Sequence, residues 1–107
     1  MRKDKVTKLI EKTLNDHKAE NVVIIDVSER TPFADFYVIA TATNKRQLKA
    51  LSEIVVDELE KNKMAVGRTE GTPESGWIII DAKHVIINIF SKEERERISL
   101  EELLSKK

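Results

Sequence analysis

WIIIDAKHVIINIF, residues Trp77–Phe90, decides the fold. Two apolar runs flank Asp81-Ala82-Lys83-His84, which reads as a β-hairpin. The segment Gly71-Thr72-Pro73-Glu74-Ser75-Gly76 before it reads as a flexible lead-in. Neither apolar run alternates with polar residues. Isoleucines therefore point to both faces of the sheet, and both faces need cover. Whether so short a chain has enough helix to supply that cover is the main functional question.

Working outward from the hairpin, the segment Met64–Glu70 holds a short strand weakened by Gly67. Before it lies a helix from Lys45 to about Asn62, with Asn44 as its N-cap. Its core stripe is Leu48, Leu51, Val55 and Leu59, with Ile54 beside it. Phe36–Ala40 is a strand, Ser28–Ala34 with its Thr31-Pro32 step is a loop, and Val22–Val27 is a buried strand. From about Arg2 to His17, Val6, Leu9, Ile10 and Leu14 recur at helical spacing, with Thr13 and His17 beside them. After the hairpin, Ser91 with Glu94 and Ser99 with Glu102 both have capping-box spacing, so the tail is two short helical turns.

The order is therefore α-β-β-α-β-β-β-α. Strand, helix and strand between residues 36 and 70 read as one right-handed parallel crossover. The hairpins add antiparallel pairs. The expected fold is a single α/β (α+β) domain over residues 1–107, with a mixed five-stranded sheet and flanking helices. Two helices cover roughly one face of such a sheet. Either the second apolar face is an interface, or the terminal helices and loops wrap it.

The 107 residues contain 19 Lys and Arg against 19 Asp and Glu, a net charge of zero. A general nucleic-acid clamp needs excess basic charge to displace counterions, so that class is disfavoured. The absence of cysteine excludes disulfides and thiolate chemistry. No stretch approaches the ~20 apolar residues that span a bilayer, and no apolar signal core follows Met1-Arg2-Lys3-Asp4-Lys5. The expectation is a cytoplasmic protein with no membrane partner.

A catalytic reading needs convergent groups. His17 and His84 are isolated, without cysteine or HxxxH spacing, and make a poor metal site. No P-loop, GxSxG or GxGxxG occurs, and three glycines leave no loop to cradle phosphate. Asp26, Asp35 and Asp81 stand at strand ends, where carboxylates can gather around Mg²⁺. A nucleotidyl-transfer site presents two acids one residue apart on one strand, and no strand here carries Asp-x-Asp or Asp-x-Glu. Turn and cap roles account better for these aspartates. No catalytic residue, metal site or cofactor is expected.

Two features remain. Lys45, Arg46 and Lys49 open the second helix, while Asp57, Glu58 and Glu60 sit near its end, opposite to what the helix dipole favours. Each misplaced charge costs a few tenths of a kcal/mol at an exposed site, which a fold tolerates. The other reading is an anion-facing patch. Trp77, the only tryptophan, is either core or an interface anchor.

From Asp26 onward the chain resembles the ribosomal silencing factor family, RsfS, also called Iojap. The likeness runs through Asp26-Val27, Ala34-Asp35-Phe36-Tyr37-Val38-Ile39-Ala40-Thr41, Lys45-Arg46-Gln47 and Glu70-Gly71. It continues through Trp77, Asp81, Val85-Ile86-Ile87-Asn88-Ile89-Phe90, Glu94-Arg95 and Ser99-Leu100-Glu101-Glu102-Leu103. Ala42-Thr43-Asn44 stands where the family often has Gly-Thr-Ser, Ala82-Lys83-His84 where it often has Tyr-Gly-Asp, and Asn88 where it favours histidine. The family's aromatic near Ile98 is absent, and Leu104 replaces its closing aromatic.

The resemblance implies a nucleotidyltransferase-like topology without the catalytic acids, and a binding function. Such proteins dock on the large ribosomal subunit through its L-fourteen protein and sterically block subunit joining. They repress translation, are tied to large-subunit biogenesis and often form homodimers. Carried onto this chain, the contact is expected at Trp77, with Ile78, Glu70 and Gly71 beside it. Lys45, Arg46 and Lys49 are expected to add a peripheral, salt-sensitive term toward ribosomal RNA or an acidic surface. The alternative is a small nucleotidyltransferase-like enzyme.

Overall fold

The computed structural model describes residues 5–64 and 66–100. The elements are α1 (Lys5–Asp16), β1 (Glu20–Asp26), β2 (Phe36–Ala42), α2 (Lys45–Lys61), β3 (Thr69–Thr72), β4 (Trp77–Ala82), β5 (Val85–Ser91) and α3 (Lys92–Ile98). The five strands form one sheet in the order β1-β2-β5-β4-β3. Only β2 and β5 pair in parallel; the other three pairs are antiparallel. The mixed five-stranded sheet and the single α+β domain expected from sequence are present.

The crossover differs from expectation. The strand that follows α2 runs in the same direction as β2 but does not pair with it. It lies at the far edge, with β5 and β4 between. The reason is the hairpin. Its strands are longer and more apolar than β3, whose four residues are all exposed, so they take the central positions and leave β3 at the rim. The short strand also begins later than expected, at Thr69, and Gly67 lies outside it.

Strand alternation sorts the sheet into two faces. The first carries Ile24, Phe36, Val38, Ala40, Ala42, Ile78, Ile80, Ala82, Val85, Ile87 and Ile89. They pack with Ile10 and Leu14 of α1 and with Leu48, Leu51, Val55 and Leu59 of α2 in one core. The four α2 residues are at most 1% exposed, so the sequence stripe is the buried stripe. At ~1.5–3 kcal/mol per large side chain removed from water, this face dominates the stability.

Both long helices end in the same way. Lys18 and Lys63 adopt left-handed backbone, φ 67° and 59°. The amides of Ala19 and Met64 then reach back to the carbonyls of Leu14 and Leu59, both near 2.9 Å. Ala19 and Met64 pack against the core, the apolar contact that accompanies this Schellman cap. Lysine stands where glycine is usual, so no glycine marks either stop. At the start of α2, Asn44 accepts from the Gln47 amide at 2.8 Å, as its N-cap role requires. The Gln47 side chain donates to Lys18 O at 3.2 Å and ties the end of α1 to the start of α2.

Candidate functional site

The second face of the sheet carries Val23 and Ile25 from β1, Tyr37, Ile39 and Thr41 from β2, Ile86, Asn88 and Phe90 from β5, and Trp77, Ile79 and Asp81 from β4. α3 sits over one end of it. Ser91 caps α3, accepting from the Glu94 amide at 3.3 Å, as the capping spacing predicts. The second such pair, Ser99 with Glu102, extends outside the described residues; Ser99 itself is the left-handed C-cap of α3. Arg95 pins this helix down. Its Nη1 donates to Thr41 Oγ1 at 2.7 Å and to Asn21 O at 2.6 Å. Asn21 offers that carbonyl because β1 bulges there, between Glu20 and Val23, with Asn21 at φ 49°. A cavity of about 430 Å³ lies beside this clamp, lined by Glu20, Asn21, Val23, Thr41, Lys92, Arg95, Glu96 and Ser99.

Under this end, Ile39, Thr41, Asn88 and Phe90 are buried. On the same face, Val23, which lines the cavity beside the clamp, and Ile25, Tyr37, Ile79 and Ile86 are only partly buried. Of the two covers weighed from sequence, the described terminal helices thus supply part for this face: α1 joins the first core, and α3 reaches one end.

Trp77 opens β4 on this face and is partly exposed. Its ring stacks on Phe90, with centroids 5.0 Å apart and planes at 29°. Its Nε1 donates to Asn88 Oδ1 at 3.0 Å. The lead-in expected to be flexible is a hydrogen-bonded turn. Ser75 Oγ donates to Thr72 O at 2.8 Å, the Ser75 amide donates to Thr72 Oγ1 at 3.1 Å, and Ser91 N donates to Gly76 O at 2.8 Å. Gly76, at φ 79°, has no room for a Cβ against Ser91 Oγ and Glu94 Cγ. Gly71, at φ 92°, would drive a Cβ into the Trp77 carbonyl. Both glycines fix the entry to β4 and so the place of the indole.

The residues expected around Trp77 divide. Glu70 is exposed on β3 and pairs with Ile79, which puts it on the Trp77 face. Gly71 backs onto Trp77 through its main chain. Ile78 does not belong to this surface: one step along the strand it points to the opposite face, is 3% exposed and packs in the first core. Lys45, Arg46 and Lys49 are exposed on α2. Lys45 lines a cleft of about 280 Å³ with the Pro73–Gly76 turn and Ser91–Glu94, so it stands near the entry to β4. Arg46 and Lys49 do not line it, and Glu74, Glu93 and Glu94 do, which gives the cleft both signs of charge.

Two of the strand-end aspartates, Asp26 and Asp81, serve turns. Asp26 Oδ1 accepts from the Ser28 hydroxyl at 2.6 Å and the Ser28 amide at 2.9 Å, and these bonds hold its carboxyl below the usual carboxylate range. Asp81 Oδ1 accepts from the Lys83 amide at 3.1 Å across the hairpin turn. Asp35 stands just before β2, with its amide donating to His84 O at 2.7 Å. Among the described residues no group of three or more His, Asp or Glu is placed to hold a metal ion.

The profile of the family described as "Ribosomal silencing factor during starvation", RsfS, matches residues 1–107. The chain belongs to the RsfS family. It is 26% identical over 103 residues to the ribosomal silencing factor RsfS of Bacillus subtilis, covering 96% of this chain and 87% of that one. It is 30% identical over 96 residues to RsfS of Zymomonas mobilis, covering 90% and 72%. A crystal structure of a Chromobacterium violaceum protein superimposes with a TM-score of 0.92 at 25% identity, covering 100% of this chain and 89% of that one. The family likeness read from sequence is therefore real, and the fold is the one solved for a similar protein.

Three features of this RsfS-family chain escaped sequence reading. Arg95 lies in a mixed charge run that reads as a solvated face, and only the bulge at Asn21 reveals its clamp. Asn88 reads as one polar residue in an apolar run, with no sign that it meets Trp77. Phe33, in the loop between β1 and β2, is 85% exposed, the one large hydrophobic so exposed among the described residues.

Proposed function

We propose that this chain is a steric anti-association factor that docks on the large ribosomal subunit through the second face of its sheet. The partner is the subunit's L-fourteen protein, and the anchor is Trp77 with Glu70 and the Gly71 backbone beside it. The observation that carries this reading is the asymmetry of the sheet. Among the described residues, one face is closed by two helices, and the other keeps an apolar surface spread over four strands with a partly exposed tryptophan at its rim. Family membership supplies the ribosome as the partner class. Lys45, on the cleft next to the β4 entry, adds a salt-sensitive contact toward ribosomal RNA, with Arg46 and Lys49 further along α2. The same apolar face is available to a second copy when no ribosome is present. This function is exerted in the cytoplasm on translation and on large-subunit biogenesis, with no chemistry and no cofactor.

The enzyme alternative gains nothing from the site. The carboxylates of Asp26 and Asp81 are engaged in local turns and stand on strands separated by β2 and β5.

A blocking wedge acts stoichiometrically. Joining of purified subunits, followed by light scattering, should fall as the protein saturates one site per large subunit, without nucleotide or metal. Excess small subunit should restore joining. Inhibition that requires ATP, acts below stoichiometry or persists after the protein is washed away refutes steric blocking.

A further inference from the structure

We infer that Asn88 is a positioning residue for Trp77, a buried amide kept in an apolar sheet face to lock the indole for docking. The inference rests on the reading of Trp77 as the ribosomal anchor.

Asn88 lies on the central strand β5, with Ile39 and Ile79 opposite it in register on either side. It is 1% exposed. Its Nδ2 is the one buried side-chain polar atom without a hydrogen-bond partner among the described residues. A buried donor left unmatched destabilises a fold, and an apolar side chain of similar volume would avoid it. Stability alone therefore does not account for asparagine here.

What the asparagine does provide is one bond, from Trp77 Nε1 to its Oδ1 at 3.0 Å. Trp77 is partly exposed at the start of β4, and the bond is part-buried. The bond restricts the ring. Stacking on Phe90 holds the indole by one face. Fixing the N–H as well leaves one orientation. An aromatic anchor held in its bound rotamer loses less entropy on docking, which raises affinity without any new contact.

Trp77 is the only tryptophan, so its fluorescence reads the lock directly. The full chain would be compared with Asn88→Leu and Asn88→His by melting temperature, by the time-resolved anisotropy of Trp77, and by affinity for purified large subunits. Asn88→Leu should melt at or above the parent temperature. Its fast local anisotropy component should grow, and its affinity should fall about three- to tenfold, the worth of one neutral hydrogen bond. Asn88→His, whose neutral imidazole nitrogen can accept the indole N–H, should recover both signals. Unchanged anisotropy and affinity in Asn88→Leu would overturn the inference. So would an Asn88→Leu chain that melts markedly lower or fails to fold, which would make Asn88 a requirement of the core. Trp77→Phe separates the two readings. If it binds subunits like the parent chain, the docking role of Trp77 fails, while the anisotropy of the Asn88 variants still decides whether the lock exists.

Discussion

The two faces of the sheet are built from the same residues and live in different surroundings. Ile78 and Ile80 on β4 and Ile87 and Ile89 on β5 are at most 3% exposed beneath α1 and α2. Ile79 and Ile86, their neighbours along the same strands, are only partly covered. Neither residue type nor strand propensity separates them. The difference is which face the helices can reach. Among the described residues the two long helices close only one of two isoleucine-bearing faces, and the proposed docking uses the other.

The largest effect should come from cutting into the closed face. Ile87→Ala removes a fully buried side chain and should cost about 2–5 kcal/mol in urea unfolding. Ile86→Ala, one residue away on the other face, should cost less than about half as much, because its cavity opens to solvent. Equal losses would mean that the second face is as fully packed as the first.

Next in size, Trp77→Ala should weaken binding to the large subunit by at least ~2 kcal/mol, as truncating an interface anchor does. Most of the folding stability should survive. A variant that loses stability while its folded fraction binds normally would move Trp77 from the docking face into the core.

Gly71→Ala tests the connection between β3 and the anchor. Its φ of 92° and the clash with the Trp77 carbonyl should cost about 1–3 kcal/mol of stability. The Trp77 emission should shift along with it. A silent substitution would show that the entry to β4 yields easily.

The smallest effect is expected from charge. Reversing Lys45, Arg46 and Lys49 together should slow association with the large subunit and flatten its salt dependence, with little change in dissociation. An unchanged on-rate at low salt would confine recognition to the sheet face.

Local chemistry was legible in the sequence. The period of Leu48, Leu51, Val55 and Leu59, the cap at Asn44, the cap at Ser91 and the two runs around Asp81–His84 each depend on neighbours within a turn or two, and each formed as read. The helix ends, read at His17 and about Asn62, fall within one residue of those observed, although lysines at positions 18 and 63 take the left-handed conformation that glycine usually announces. Ile78, expected beside Trp77 in the contact, lies in the closed core instead, because a strand sends adjacent side chains to opposite faces.

By itself, then, the sequence determined the elements, the mixed sheet and the family, since periodicity, capping and motif order are properties of the chain. Only the tertiary structure decided that β5 rather than β3 lies beside β2, that Arg95 holds α3 to a bulge 74 positions away in sequence, and that Asn88 meets Trp77. Several apolar runs of similar pattern compete for the same central places in a sheet, and no local signal ranks them. Their order follows from which arrangement buries the most surface under the available helices, and that is settled only when the whole chain packs.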